Sequence, residues 1–225
     1  MKDYKRTFPI TDTFMNYKLN DIIYGFMRCE STVEPVYDAY GNQIKGNEYI
    51  PRTKITANKK KLAELCGCTT RTIDNHIKKM LEAGLIAEPT EEEAKSMGFR
   101  YYFFPFRRED KYTTLRLEVL KKVVETGNPH AVRIYAHLLD QQNYWGKYRK
   151  QKYVFSQADL KKRLGYHETT KTADKAISKA LEDLVNAGII KYSKKLVHID
   201  NGSHISATQK NQLNFIASEA KHLKK

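Results

Sequence analysis

Apolar positions recur along the chain at helical spacing in two places. Ile73, Ile77, Met80 and Leu81, and later Ile177, Leu181, Leu184 and Val185, follow three- and four-residue steps, which predicts two amphipathic helices with one side turned to a core. Each run ends alike, in Ala83-Gly84-Leu85-Ile86 and in Ala187-Gly188-Ile189-Ile190. Glycine accepts the positive backbone torsion that stops a helix. A shorter helical run precedes each, closed by Gly67 in the first case, with Leu62 and Leu65 on one face, and by Gly165 in the second. One pattern therefore occurs twice, over residues 59–86 and 158–190, with six extra residues in the second turn.

Polar residues at the ends set the expected boundaries. Asn58 caps the first short helix, and Thr69 or Thr70 the longer one after it; Ser156 with Asp159 forms a capping box behind the strand-like Tyr153-Val154-Phe155, and Thr172 caps the last helix. Residues 19–27 and 131–139 are amphipathic and predict a leading helix before each copy. The run 99–106, FRYYFFPF, predicts an aromatic strand, and Leu196-Val197-His198-Ile199 a strand followed by the turn residues Asp200-Asn201-Gly202. Residues 31–52, with Gly41, Gly46, Pro35 and Pro51, read as a long loop or hairpin. In PTEEEAKSMG, Thr90 with Glu93 and Gly98 predict a helical turn.

The expected fold is mainly α with small β-wings: two tandem winged helix-turn-helix domains. The first covers residues 1–106, a linker 107–114, the second domain 115–207, and an amphipathic tail 208–225 follows. In that tail Leu213, Ile216, Ala220 and Leu223 fall along one helical side, which either packs back or pairs two subunits as a homodimer.

Charge adds a partner to this picture. Among 225 residues, 40 are Lys or Arg and 26 Asp or Glu, a net charge of +14. The net charge is +3 over residues 1–112 and +11 over 113–225. Such an excess fits a polyanion, because displacing counterions from phosphates gives sequence-independent attraction. An anionic membrane competes in principle. The sequence has no apolar run to span a bilayer and no apolar signal segment after MKDYKRTFPITD, so the expectation is a cytoplasmic protein without a membrane partner.

Enzyme chemistry finds no foothold in the motifs. Cys29, Cys66 and Cys68 match no disulfide framework or zinc spacing and read as reduced structural thiols. The seven histidines lack metal-ligand spacing, His198 and His204 included, and the 15 tyrosines lack the metal site that a nicking nucleophile needs. A Gly-rich phosphate loop is likewise missing. The expectation is a non-enzyme with no metal and no cofactor, which would recruit a helicase or its loader rather than be one.

The stretches LAELCGCTTRTIDNHIKKMLEAGLI, IYAHLLDQQNYW and FSQADLKKRLG together resemble the tandem winged-helix proteins encoded by plasmids and phages, including replication initiators and replication-associated regulators. The resemblance covers most of residues 14–200. It implies duplex DNA as partner, with the helices at 70–83 and 172–187 entering the major groove by their N-terminal halves. On that mapping Arg71 and Asn75 read bases in the first domain, flanked by Thr70 and Thr72, and Lys175, Ser178 and Lys179 do so in the second, beside Lys171 and Thr172. Lys59, Lys60, Lys78 and Lys79 then contact phosphates, which positions without specifying.

Three segments keep two readings each. Lys147, Arg149 and Lys150 lie beside Tyr144, Trp145 and Tyr153, as a backbone-binding loop or as a solvated hairpin with core aromatics. Tyr101 to Phe104 offer either a stacking platform for single strands or a core strand. Glu91 to Glu93 would be repelled by phosphate, so that wing tip belongs to a protein contact or to solvent. For the chain as a whole the leading reading is a replication initiator, and the alternatives are a transcriptional regulator of a mobile element and a winged-helix protein-docking module.

Overall fold

A computed structural model describes residues 5–9, 15, 21–33, 53–55, 59–92, 95, 102–105, 112–167, 169–200 and 205–217. The chain is mainly helical, with small antiparallel sheets. Its first half runs β1 (Lys5–Pro9), α1 (Asp21–Cys29), β2 (Thr32–Val33), β3 (Thr53–Ile55), α2 (Lys59–Cys66), α3 (Thr70–Glu82) and β4 (Tyr102–Phe103). The second half runs β5 (Tyr112–Arg116), α4 (Leu117–Glu125), α5 (Ala131–Tyr144), a π-helical turn (Trp145–Arg149), β6 (Val154–Phe155), α6 (Gln157–Arg163), α7 (Lys171–Asn186), β7 (Ile190–Asp200) and β8 (Ile205–Ile216).

Both helix pairs close as their glycines require. Gly67, Gly84, Gly165 and Gly188 all take positive φ. The amide after each then turns back into its helix: Cys68 N donates to Ala63 O at 2.9 Å and Tyr166 N to Lys161 O at 3.0 Å, while Leu85 N reaches Met80 O and Ile189 N reaches Leu184 O, both at 2.9 Å. These bonds satisfy carbonyls that a helix end leaves open. Ile73, Ile77 and Met80 of α3 and Ile177, Leu181 and Leu184 of α7 are buried, as their spacing predicts, whereas Val185 stays exposed.

The two copies differ at the start of the longer helix. Ser156 and Asp159 form the expected capping box, with bonds of 3.0 and 2.9 Å, and Thr69 caps α3 by accepting from Thr72 N at 3.2 Å. The cap of α7 is Thr170 rather than Thr172, and its side chain makes no capping bond. Three of the six extra residues thus extend α7 at its N-terminal end. Asn58 lies outside the described residues.

Sheet order repeats as well. In the second half β8 is central, between β6 and β7. In the first, β4 pairs with β3 on one side, and Phe103 exchanges two backbone bonds with Ala87 on the other. Just after α1, β2 pairs antiparallel with β3, Thr32 facing Lys54 and Val33 facing Thr53; the residues expected as a long loop or hairpin between them, 34–52, lie outside the described residues.

Several expectations need correction. Residues 205–216 form a strand, not part of an amphipathic helix; β8 pairs along the whole of β7, so the boundary at 207 falls inside a hairpin of the second half. Residues 218–225 lie outside the described residues. Of the expected linker 107–114, residues 112–114 belong to β5, which pairs with β1 from Lys5↔Arg116 to Pro9↔Tyr112, and the rest are not described. The strand expected over 99–106 spans Tyr102 and Phe103 among the described residues. Tyr102, Phe103 and Phe104 are all buried, which removes them as a platform for stacking bases. Glu91, Glu92 and Lys95 are helical, as the capping pattern predicts, while Glu93 and Gly98 are not described.

The halves share one apolar cluster, which runs from Met15 through α1, α4 and α5 to Ala217. Helix α1 packs on α4 and α5 of the other half. Gly25 makes that approach possible, since a Cβ there would lie 2.9 Å from methyls of both Val124 and Val132. Asp21 and Arg133 form a buried ion pair at 2.7 Å across the same contact, and the Asp21 amide donates to Pro129 O at 2.9 Å.

Candidate nucleic-acid interface

The outward sides of α3 and α7 carry the residues expected to meet DNA. On α3, Thr70, Arg71, Asn75, Lys78 and Lys79 are exposed, as is Lys60 on α2. On α7, Lys171, Thr172, Lys175, Ser178 and Lys179 are exposed. Core packing on the opposite side fixes each helix, so these groups point away from the protein.

Exposure does not make them equivalent. Among the described residues, Lys60, Arg71, Asn75, Lys79, Lys171 and Lys175 enter no ion pair or side-chain hydrogen bond. Lys59 instead pairs with Asp74 of α3, and Lys78 lies 4.0 Å from Glu82. Lys179 is held by Asp183 at 2.9 Å and Glu182 at 3.7 Å. Those carboxylates raise its pKa, through the Asp183 hydrogen bond first, and partly cancel its charge at the surface. Ser178 accepts a bond from Gln157 Nε2 at 2.8 Å, and the Thr72 hydroxyl sits 3.0 Å from that of Thr69 at the helix cap. Base reading by Ser178 and Lys179 would need these contacts to open.

Lys59–Asp74 and Gln157–Ser178 occupy matching places in the two copies when Ile73 is set on Ile177. Each ties the first residue of the short helix to the residue after the buried isoleucine of the longer one. An ion pair does in one copy what a neutral hydrogen bond does in the other. A second tie in the later copy joins buried Lys161 to Asp174 at 2.6 Å. Asn128, from the turn between α4 and α5, donates to Asp183 at 2.8 Å and anchors the C-terminal half of α7.

The histidine on the flank of α3, His76, is half-buried, and desolvation with help from Lys79 lowers its pKa. Its ring is therefore neutral at pH 7. Cys66 has its pKa pushed up to about 11 by burial and by Cys68, so the thiol stays protonated. Among the described residues no group of three or more His, Cys, Asp or Glu side chains is placed to hold a metal, and no helix is long and apolar enough to cross a membrane.

The basic segment 146–152 is not a hairpin loop. Residues 145–149 continue α5 as a π-helical turn, ended by Lys150 in the left-handed region at φ 54°. Lys147, Arg149 and Lys150 are exposed there. The β7–β8 hairpin adds cations that helical spacing could not reveal. Lys191, Lys194 and Lys195 are exposed, and Lys195 stands directly across from Lys210. A usable signal was present: Leu213, Phe215 and Ala217 fall at strand spacing, with polar Asn214 between the first two.

Comparison of the chain with protein-family models, with curated proteins and with solved structures finds no match.

Proposed function

We propose that this protein is a sequence-specific duplex-DNA-binding protein, built as two winged helix-turn-helix units on a shared core, with α3 and α7 as its reading helices. One observation carries the reading. Each of two helices, set behind a glycine-closed turn and backed by an antiparallel strand set, offers exposed polar and cationic groups in its N-terminal half: Arg71 and Asn75 on one, Lys171 and Lys175 on the other. A helix of this kind fits the major groove, where Arg pairs with guanine and Asn with adenine edges.

In this reading α7 enters deeper than α3, because its N-terminal end is longer by three residues. Lys60, Lys79 and the cations of the β7–β8 hairpin hold phosphates. The protein acts by binding rather than by catalysis, and the setting we propose is a plasmid or phage replication origin, where it assembles partners such as a helicase or its loader.

Titration of labelled duplex containing selected sites tests the binding. Affinity should fall linearly on a log–log plot as salt rises. Arg71→Ala should relax base preference at one position at a cost of about 1–3 kcal/mol. Salt-insensitive or absent binding would overturn the proposal and favour a protein-docking role. Mapping bound sites in the native genome tests the setting: repeats at an origin support initiation, and sites over unrelated promoters support transcriptional regulation.

A further inference from the structure

The π-helical turn after α5 is a second surface with nucleic-acid chemistry, distinct from both reading helices. Tyr144 and Tyr148 are 48% and 64% exposed, with ring centroids 5.0 Å apart and planes tilted by 46°. Two large rings standing together in solvent are an unusual use of apolar surface.

The turn beneath them is anchored. Trp145 packs edge-on against buried Tyr153 at 5.5 Å, Tyr153 stacks on Phe155 at 5.8 Å, and Gln142 accepts the Tyr153 amide at 2.9 Å. The two exposed rings are thus presented on a fixed base. Such π-turns within helices recur at functional sites.

Positive charge surrounds the rings. Lys147 lies 4.9 Å from the Tyr148 ring centre and the Arg149 guanidinium 4.6 Å from that of Trp145. Lys150 and Lys152 follow, both exposed. No carboxylate falls between Asp140 and Asp159 in the chain, and Asp159 is occupied by its capping bonds and by Lys210 at 3.7 Å.

Strand register separates this surface from the hairpin tip. Pairing of Val154 with Gln212 and Phe155 with Asn211 makes β6 run toward the far end of the hairpin, where Asp200 pairs with Ile205. The π-turn therefore enters the sheet from the opposite end.

We propose that this turn is a binding site for single-stranded DNA, with Tyr144 and Tyr148 stacking on unpaired bases and Lys147, Arg149 and Lys150 holding the phosphates between them. Exposed tyrosines stack on any base that offers a free face, and cations track the backbone. A duplex offers phosphates here but no free base face, which is why the aromatic pair selects the single strand. The proposal stands apart from the duplex reading by α3 and α7.

The test is fluorescence anisotropy of the full chain with labelled oligothymidine, which cannot pair with itself, beside a labelled duplex. Replacing both exposed tyrosines, Tyr144→Ala with Tyr148→Ala, should weaken oligothymidine binding at least about fivefold, while Tyr144→Phe with Tyr148→Phe keeps it. Arg71→Ala with Lys175→Ala should leave oligothymidine binding unchanged. Absence of oligothymidine binding, a double alanine variant that binds like the parent, or equal losses in the alanine and phenylalanine variants would overturn the proposal. Loss of duplex binding alone would count only against the reading helices.

Discussion

The Asp21 carboxylate of α1 lies 2.7 Å from the Arg133 guanidinium of α5, and both side chains are almost wholly excluded from water. The same carboxylate accepts the Arg133 amide at 3.2 Å, and Arg133 donates to Met15 O at 3.0 Å. Two residues 112 positions apart thereby lock the first half of the chain to the second. Desolvation is the larger influence on Asp21 and raises its pKa to about 6, against the pull of Arg133.

Removing one partner strands the other charge in the interior. Arg133→Met or Asp21→Asn alone should destabilise the fold by about 3–5 kcal/mol in urea denaturation. The double substitution should cost clearly less than the sum of the two. Additive losses would mean that the pair is not coupled.

Gly25 predicts a clash with a direction. An added methyl would sit 2.9 Å from branched Val124 and Val132, whose side chains turn stiffly. Overpacking costs about 1–3 kcal/mol, and the helix regains at most about 1 kcal/mol from alanine. Gly25→Ala should therefore lower the melting temperature, and adding Val132→Ala should recover part of the loss.

The caps of α6 and α7 should respond unequally. Ser156→Ala removes the capping-box bond that its hydroxyl accepts from the Asp159 amide, leaving the backbone bond to the Asp159 carboxylate, and should cost about 1 kcal/mol. Thr170→Ala should change stability by much less, since the Thr170 side chain makes no capping bond. Equal effects in thermal melts would contradict the assigned boundaries.

Acid should weaken the fold through its buried imidazoles. Desolvation, with help from Arg163, lowers the His137 pKa to about 4, and burial does the same for His130. The unfolded chain takes up protons near the ordinary value of 6.5, so between pH 6.5 and 4 it binds more protons than the fold, and stability falls with pH. Asp21 acts oppositely, since its raised pKa makes the fold take up a proton first, but two histidines outweigh one carboxyl. His137→Gln should flatten the stability profile over that window by on the order of 3 kcal/mol. An unchanged slope of melting temperature against pH would contradict the assignment.

Local rules carried the reading of α3 and α7 a long way. The apolar stripes of α3 and α7, the glycine stops and the Ser156 box depend on residues within a few positions of one another, so the sequence by itself determined them. It also exposed Arg71, Asn75 and Lys175 by placing them opposite those stripes.

Tertiary structure decided what local rules leave balanced. Residues 205–217 carry both a helical stripe, in Leu213 and Ile216, and a strand spacing, in Leu213, Phe215 and Ala217; pairing with β7 selects the strand because it satisfies a whole backbone ladder. Which polar groups stay open was equally non-local, since Lys59 and Ser178 meet partners on a neighbouring helix. The joining of the halves was hidden for the same reason. A glycine inside an apolar helix and a lone Asp beside it signal a close crossing only once Val124, Val132 and Arg133 are brought against them.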